Sequence, residues 1–137
     1  MNTDEVEINT GTDKDKEYKY QELTGKIIGC AFEVHNHLGC GFLEKVYEKA
    51  LIYEMKTNGL RVERQKPIKI TYKDQDVGTY LVDLVVGDRV IVELKTVEFL
   101  TKIHKAQVLN YLRASGFRVG LILNFSRPRL EYKRVVA

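Results

Sequence analysis

Leu81-Val82-Asp83-Leu84-Val85-Val86 and, across Gly87-Asp88, Val90-Ile91-Val92-Glu93-Leu94-Lys95 are the stretches whose reading decides the fold. Each is a short apolar run of strand length beside turn-forming residues. Apolar side chains on both faces predict two strands in the middle of a covered sheet. Into this setting the chain puts Asp83, Glu93 and Lys95. Burying a charge is costly unless it is paired or holds a metal, which leaves two explanations. One is a cation site acting on phosphodiesters; the other is a buried salt bridge between Lys95 and an acid.

Register separates them. Side chains alternate along a strand, so Glu93 and Lys95 share a face. A two-residue loop at Gly87-Asp88 would pair Asp83 with Val92 and turn Asp83 to the opposite face. An odd-numbered loop, or a bulge, turns it toward Glu93 and Lys95. A site therefore requires a three- or five-residue connection or a bulge. Gly87 and Asp88 both tolerate the positive φ such loops need.

Outward from this pair, apolar residues at helical spacing (Leu23, Ile27, Ala31, Val34 and Leu38, with Ile28 and Phe32 beside them) predict a helix over 22–37. Gly39-Cys40-Gly41 closes it, and His35 and His37 near its end suit the helix dipole as capping residues. A second helix over 43–58 has Leu43, Val46, Tyr47, Ala50, Leu51 and Met55 as its buried stripe. Strands follow over 60–65, 67–72, 79–86 and 89–95, with a polar turn at 73–76. A third helix over 103–115 carries Ala106, Leu109, Tyr111 and Leu112. The strand over 118–124 should lie parallel to the Glu93 strand through a right-handed crossover, with 130–136 as a last edge strand. The order predicts one α/β domain with a mixed sheet over 21–137. Residues 1–20 are polar and charged, and are expected to form a flexible tail.

With 137 residues, 44% hydrophobic and 30% charged, the composition is that of one ordinary globular domain. No apolar run approaches the ~18 residues of a membrane span, and no apolar segment near the N-terminus marks a secretory signal. A cytoplasmic location is expected, with Cys30 and Cys40 reduced. His35 and His37 are too few and too poorly spaced around them for zinc. The net charge of +3 conceals an acidic start: residues 1–20 hold six acids and three bases, leaving 19 bases against 13 acids in the rest. Arg113, Arg118, Arg127, Arg129, Lys133 and Arg134 face only Glu131 in the late chain, a weak pointer to polyanions.

If Asp83 and Glu93 do share a face, their hard oxygens suit Mg²⁺ or Mn²⁺. Such an ion polarises a phosphate, helps ionise an attacking water and stabilises the leaving oxygen. Lys95 beside two carboxylates then fits an electrostatic role better than that of a general base.

Asp83 followed by Glu93-Leu94-Lys95 resembles the D…(D/E)-x-K core of the PD-(D/E)xK nuclease superfamily. Gln107-Val108-Leu109-Asn110-Tyr111 is similar to the Q-x-x-x-Y motif of RecB-type members, and its spacing puts Gln107 and Tyr111 on one helical face. Gly41-Phe42-Leu43-Glu44-Lys45-Val46-Tyr47 is similar to G-x-x-E-x-x-Y, the signature of a small family within the superfamily. Val82 stands where the superfamily name has Pro, which supplies no ligand. The resemblance implies a restriction-endonuclease-like core, a central mixed β-sheet flanked by α-helices. It implies catalytic residues at Asp83, Glu93, Lys95, Gln107 and Tyr111, and metal ligands at Glu44, Asp83, Glu93 and Leu94. Tyr47 is expected in the core with its hydroxyl at the cleft edge, and Glu48 at the surface. His104 and Glu98 are read as solvated, and Asn124 and Ser126 as possible cleft-lining residues.

The function these features predict is a Mg²⁺- or Mn²⁺-dependent nuclease acting on nucleic acid, DNA ahead of RNA. The competing reading is a nucleic-acid-binding or protein-interaction module that keeps the fold without catalysis. A catalytic domain this small has few elements for target recognition, so a homodimer, a protein partner or structure-selective cleavage is expected.

Overall fold

The computed structural model describes residues 20–137. Of the tail expected over 1–20, all but Tyr20 lies outside the described residues. The chain runs α1 (Gln21–Leu38), α2 (Glu44–Thr57), β1 (Val62–Tyr72), β2 (Gln75–Val86), β3 (Val90–Lys95), α3 (Lys102–Ser115), β4 (Val119–Asn124) and β5 (Glu131–Val136). The strands form one sheet in chain order. β3 and β4 pair in parallel; every other neighbouring pair is antiparallel. This is the α/β architecture expected, a central mixed sheet flanked by helices.

The apolar runs of β3 and β4 are buried on both faces because helices cover both. Ile27, Ala31, Tyr47, Leu51 and Met55 of α1 and α2 pack on Leu84, Val86, Val92 and Leu121. Val108, Tyr111 and Leu112 of α3 pack on Val85, Ile91 and Ile122. Alternation along β3 sends Val90, Val92 and Leu94 to the first face and Ile91 to the second.

Three expectations change. Residues 60–65 and 67–72 do not form two strands: β1 runs unbroken from Val62 to Tyr72, with a kink where Gln65 adopts φ 51°. β2 starts at Gln75 because Lys73 and Asp74, at φ 49° and 67°, close a two-residue hairpin turn of the primed kind. The helix stripes also shift. On α2 the buried residues are Tyr47, Glu48, Leu51 and Met55, while Leu43 precedes the helix in extended backbone and Val46 is exposed. On α3 they are Val108, Tyr111 and Leu112; Ala106 is exposed and Leu109 half-buried. In both helices, one i, i+3/i+4 line through a large aromatic residue outcompetes a broader set of smaller apolar side chains.

α3 sits close to the sheet because β4 offers it Gly120. A Cβ there would lie 2.8 Å from Val108 Cγ1, a stiff β-branched side chain, and 3.7 Å from Leu112 Cδ2. Gly120→Ala should therefore cost about 1–3 kcal/mol by overpacking, measured by urea unfolding. Combined with Val108→Ala, the two losses should be less than additive.

Candidate active site

The hairpin between β2 and β3 determines what faces what. Val86 pairs with Val90, so three residues, Gly87, Asp88 and Arg89, make the connection. Gly87 and Asp88 take φ 62° and 58°, and the Arg89 N–H donates to the Val86 carbonyl at 3.1 Å. Continuing the register from Leu84↔Val92 brings Asp83 opposite Glu93. This three-residue connection is one of the odd-numbered ones that put both acids on one face.

At that point the ladder is replaced by side chains. The Asp83 N–H donates to Glu93 Oε2 at 3.0 Å, and the Leu94 N–H donates to Asp83 Oδ2 at 2.8 Å. On the other edge of β2, Gln65 would pair with Asp83 but leaves the ladder in its left-handed conformation. β2 is thus released from both neighbours where the acid sits. Such local irregularity re-aims a side chain at the cost of ladder hydrogen bonds.

Each carboxylate spends one oxygen on a backbone amide. The other, Asp83 Oδ1 and Glu93 Oε1, accepts no hydrogen bond among the described residues. Glu93 is 3% exposed. Burial first, and then the Asp83 charge, push its carboxyl up to about 8, against the Asp83 N–H and Lys95, which pull the other way. Asp83 is raised by burial and by Glu48, opposed by the Leu94 N–H and Lys95. Glu44, exposed along much of its side chain, is still raised by partial desolvation and then by Asp83.

Lys95 makes no ion pair with these acids among the described residues; its Nζ reaches Gln107 Oε1 at 3.4 Å. The buried salt bridge that the sequence left open is therefore absent from this region. Tyr111, one helical turn beyond Gln107, is 6% exposed and stacks on Tyr80 with ring centroids 3.9 Å apart. The Tyr111 hydroxyl is buried without a well-formed hydrogen bond, although the Tyr80 hydroxyl is near enough to perturb it. Burial, the Tyr80 hydroxyl, and the Glu93 and Asp83 charges all raise it. Tyr80 feels Glu93, Asp83 and Glu44 as well. It was not singled out from the sequence, where nothing but its place three residues before Asp83 marks it.

Glu44 is held by the loop between α1 and α2. Gly41 takes φ 109°, and the Tyr47 hydroxyl donates to the Gly39 carbonyl at 2.6 Å while accepting from the Phe42 N–H at 3.2 Å. The Tyr47 ring stacks on Phe125 at 4.6 Å. Tyr47 is a core residue as expected, but its hydroxyl ties down this loop rather than edging the cleft. Glu48 is not at the surface: it is 7% exposed, with Arg64 Nε 3.1 Å from Oε2. Its charge belongs to a pair linking α2 to β1, and it acts on Asp83 through space. The α2 stripe runs through Tyr47, which turns the next position inward as well.

Other candidates have structural roles. Asn124 is fully buried; its Oδ1 accepts from the Val97 N–H, and its Nδ2 donates to the Val97 carbonyl and to Glu131. It fixes the loop that follows Lys95 instead of lining a cleft. Ser126 donates its N–H to Asn124 Oδ1. His104 accepts the Thr101 N–H in a capping box at the start of α3. His35 is buried against Phe125 with Nε2 2.8 Å from the Arg127 carbonyl, so it anchors a distant loop and does not cap α1; His37 pairs with Glu33. Glu98 is exposed, and Cys30 and Cys40 are free thiols.

The donor chemistry suits a hard divalent cation: two adjacent carboxylates, each with a free oxygen, and no nitrogen or sulfur ligand at hand. It is not a closed cage. Among the described residues, no three His, Cys, Asp or Glu side chains close on one point, so water or substrate oxygens would have to complete the shell.

A model of the PD-(D/E)XK nuclease superfamily matches residues 21–135. The chain belongs to this superfamily. Its members are typically dependent on divalent metal. Among solved structures, SSO0001 is similar with a TM-score of 0.52 and 16% identity, over 86% of this chain and 59% of that one. The chain thus spans under two thirds of that protein, and the likeness is one of fold. An alkaline exonuclease, LHK-Exo from Laribacter hongkongensis, aligns with a TM-score of 0.40 and 13% identity, over 77% of this chain and 75% of that one. No curated protein matches the chain significantly. No helix among the described residues is long and apolar enough to cross a membrane.

Metal-free protein should lose stability as pH rises. A folded-state carboxyl raised to about 8 binds a proton that the unfolded chain has already released above its ordinary value near 4.5. The native state then holds more protons across that window, so stability falls with pH. Thermal unfolding in chelator at pH 5 and pH 8 should show this decline for the wild type and a much smaller one for Glu93→Gln.

Proposed function

We propose that this member of the PD-(D/E)XK superfamily is a divalent-metal-dependent nuclease that hydrolyses phosphodiester bonds, with DNA as its preferred substrate. One observation carries the proposal. Asp83, half-buried, and Glu93, buried, face each other in register, with an oxygen each to spare and no cationic side chain in contact among the described residues. Leaving two such charges uncompensated is expensive, and a shared cation offsets the cost.

Asp83 and Glu93 would hold Mg²⁺ or Mn²⁺, with the Leu94 main-chain carbonyl as a further oxygen and Glu44 in the outer part of the set. What a divalent cation supplies at such a site is charge: a polarised phosphate, an easier ionisation of water and a stabilised leaving oxygen. Lys95 orients the attacking water and offsets the negative charge that grows in the transition state. Gln107 steers the Lys95 ammonium through its carbonyl oxygen. Tyr111, with Tyr80 stacked on it, forms the wall beyond Gln107.

The Gly41–Tyr47 stretch supports placement in the G-x-x-E-x-x-Y family, because the loop it builds carries Glu44 at the start of α2. Gln107 and Tyr111 support a Q-x-x-x-Y element, since both lie on the side of α3 that meets the acids. We further propose one domain over 21–137 with a polar tail before it, action in the cytoplasm, and a homodimer or protein partner to supply target recognition.

Cleavage of labelled DNA should require Mg²⁺ or Mn²⁺. Asp83→Asn and Lys95→Ala should each lower the rate at least ~10²-fold, in the range of losses seen when a charge-stabilising group is removed, while both variants still unfold cooperatively. Unchanged cleavage by both would refute the assignment. Tight DNA binding with no cleavage under any divalent metal would favour the non-catalytic scaffold.

A further inference from the structure

A second feature lies on the same face of the sheet as the acids. A pocket of about 430 Å³ opens between the first turns of α3 and strand β5, with Leu100 and Ile122 among its lining and Lys102, Lys105 and Lys133 around it. None of these three lysines makes an ion pair among the described residues. The acid in the lining, Glu131, is already engaged: its Oε1 accepts from the Leu100 N–H at 3.1 Å and from Asn124 Nδ2 at 3.0 Å. Three lysines line one concavity with no ion-pair partner among the described residues, an arrangement that favours an anion.

The position ties the pocket to the candidate active site. Lys95 pairs with Asn124, and Asn124 with Glu131. Two strand spacings of about 4.8 Å therefore separate Lys95 from the pocket, roughly 10 Å in all. Phosphates along one nucleic-acid strand recur about every 3.4 Å of axial rise, so a strand held at the acids reaches the pocket within about three nucleotides. The lysines offer point charges without base-reading geometry, which suits phosphate contact over sequence readout.

We propose that this pocket is a phosphate-binding subsite for the nucleic-acid strand flanking the scissile bond, with Lys102, Lys105 and Lys133 as its cationic contacts. The subsite rests on the nuclease reading for its role in positioning substrate, though its affinity for nucleic acid is testable without cleavage.

The experiment measures binding of a short, fluorescently labelled single-stranded oligonucleotide, DNA and then RNA, by anisotropy in chelator over a range of salt. The wild type is compared with Lys105→Gln/Lys133→Gln and with Lys102→Glu. A control, Lys26→Gln/Lys56→Gln, removes the same charge from the opposite side of the sheet. The pocket variants should bind at least ~10-fold more weakly, and the slope of log affinity against log salt should fall by about 0.7 for the lost phosphate contact. The control should shift both far less, and Lys105→Arg/Lys133→Arg should restore binding. Equal losses in pocket and control variants, or none in either, would overturn the subsite. So would a wild type that binds neither DNA nor RNA. If the wild type cleaves in an Asp83-dependent manner while the pocket variants bind normally, the subsite fails and the nuclease stands. If the pocket variants lose binding but no protein cleaves, the subsite stands and the nuclease reading fails.

Discussion

The structure depends on the exchange of backbone ladder for carboxylate at the open end of the β2–β3 hairpin. Asp83 and Glu93 each take an amide hydrogen from the other strand, which keeps the strands associated past the Leu84–Val92 pair where the backbone ladder stops. The exchange satisfies two buried N–H groups and anchors both acids, so neither is free to swing into solvent and escape its neighbour. The result is a pair of carboxyls both raised by burial, Glu93 also by the Asp83 charge and Asp83 also by Glu48, that stay ready for a cation. The three-residue turn at 87–89 makes this possible, and the left-handed Gln65 gives β2 room to bend.

The surrounding elements can be understood as supports for that pair. Gly120 lets α3 settle close to the sheet, which brings Gln107 to Lys95 and Tyr111 near Glu93. Asn124 and the Phe125 N–H, which donates to the Lys95 carbonyl, hold the end of β3. Tyr47, clamped between Phe125 and the α1–α2 loop, fixes the start of α2 and hence Glu44. These contacts come from sequence positions far apart, and they meet at the end of the two central strands. That is where open α/β sheets commonly bind ligands.

Much of this was legible in the residues. Two apolar runs interrupted by Asp83, Glu93 and Lys95 could not be ordinary core, and counting residues across Gly87-Asp88 stated in advance which connection a shared site needs. The fold followed from helical and strand periodicity, helped by the resemblance to a known superfamily. What escaped was set by tertiary context. Glu48 looked like any helix-surface acid because its partner, Arg64, lies on a strand that sequence spacing cannot bring near it. Tyr80 carries no local signal; its importance arises from the strand that lays it on Tyr111. Asn124 and His35 are polar residues whose buried partners come from remote loops. Leu43 and Val46 looked like core, but at 80% and 38% exposed they show that an apolar residue at helical spacing is buried only where a neighbouring surface exists to receive it.

The central claim is that the Asp83 and Glu93 carboxylates share one divalent cation. Anomalous diffraction from crystals grown with Mn²⁺ measures it most directly. The account predicts a single strong peak about 2.1–2.3 Å from an oxygen of each carboxylate, between the usual Mg²⁺ and Ca²⁺ oxygen distances, and no such peak in Asp83→Asn crystals. An ion bound elsewhere with both carboxylates empty, or no peak at saturating Mn²⁺, would contradict it.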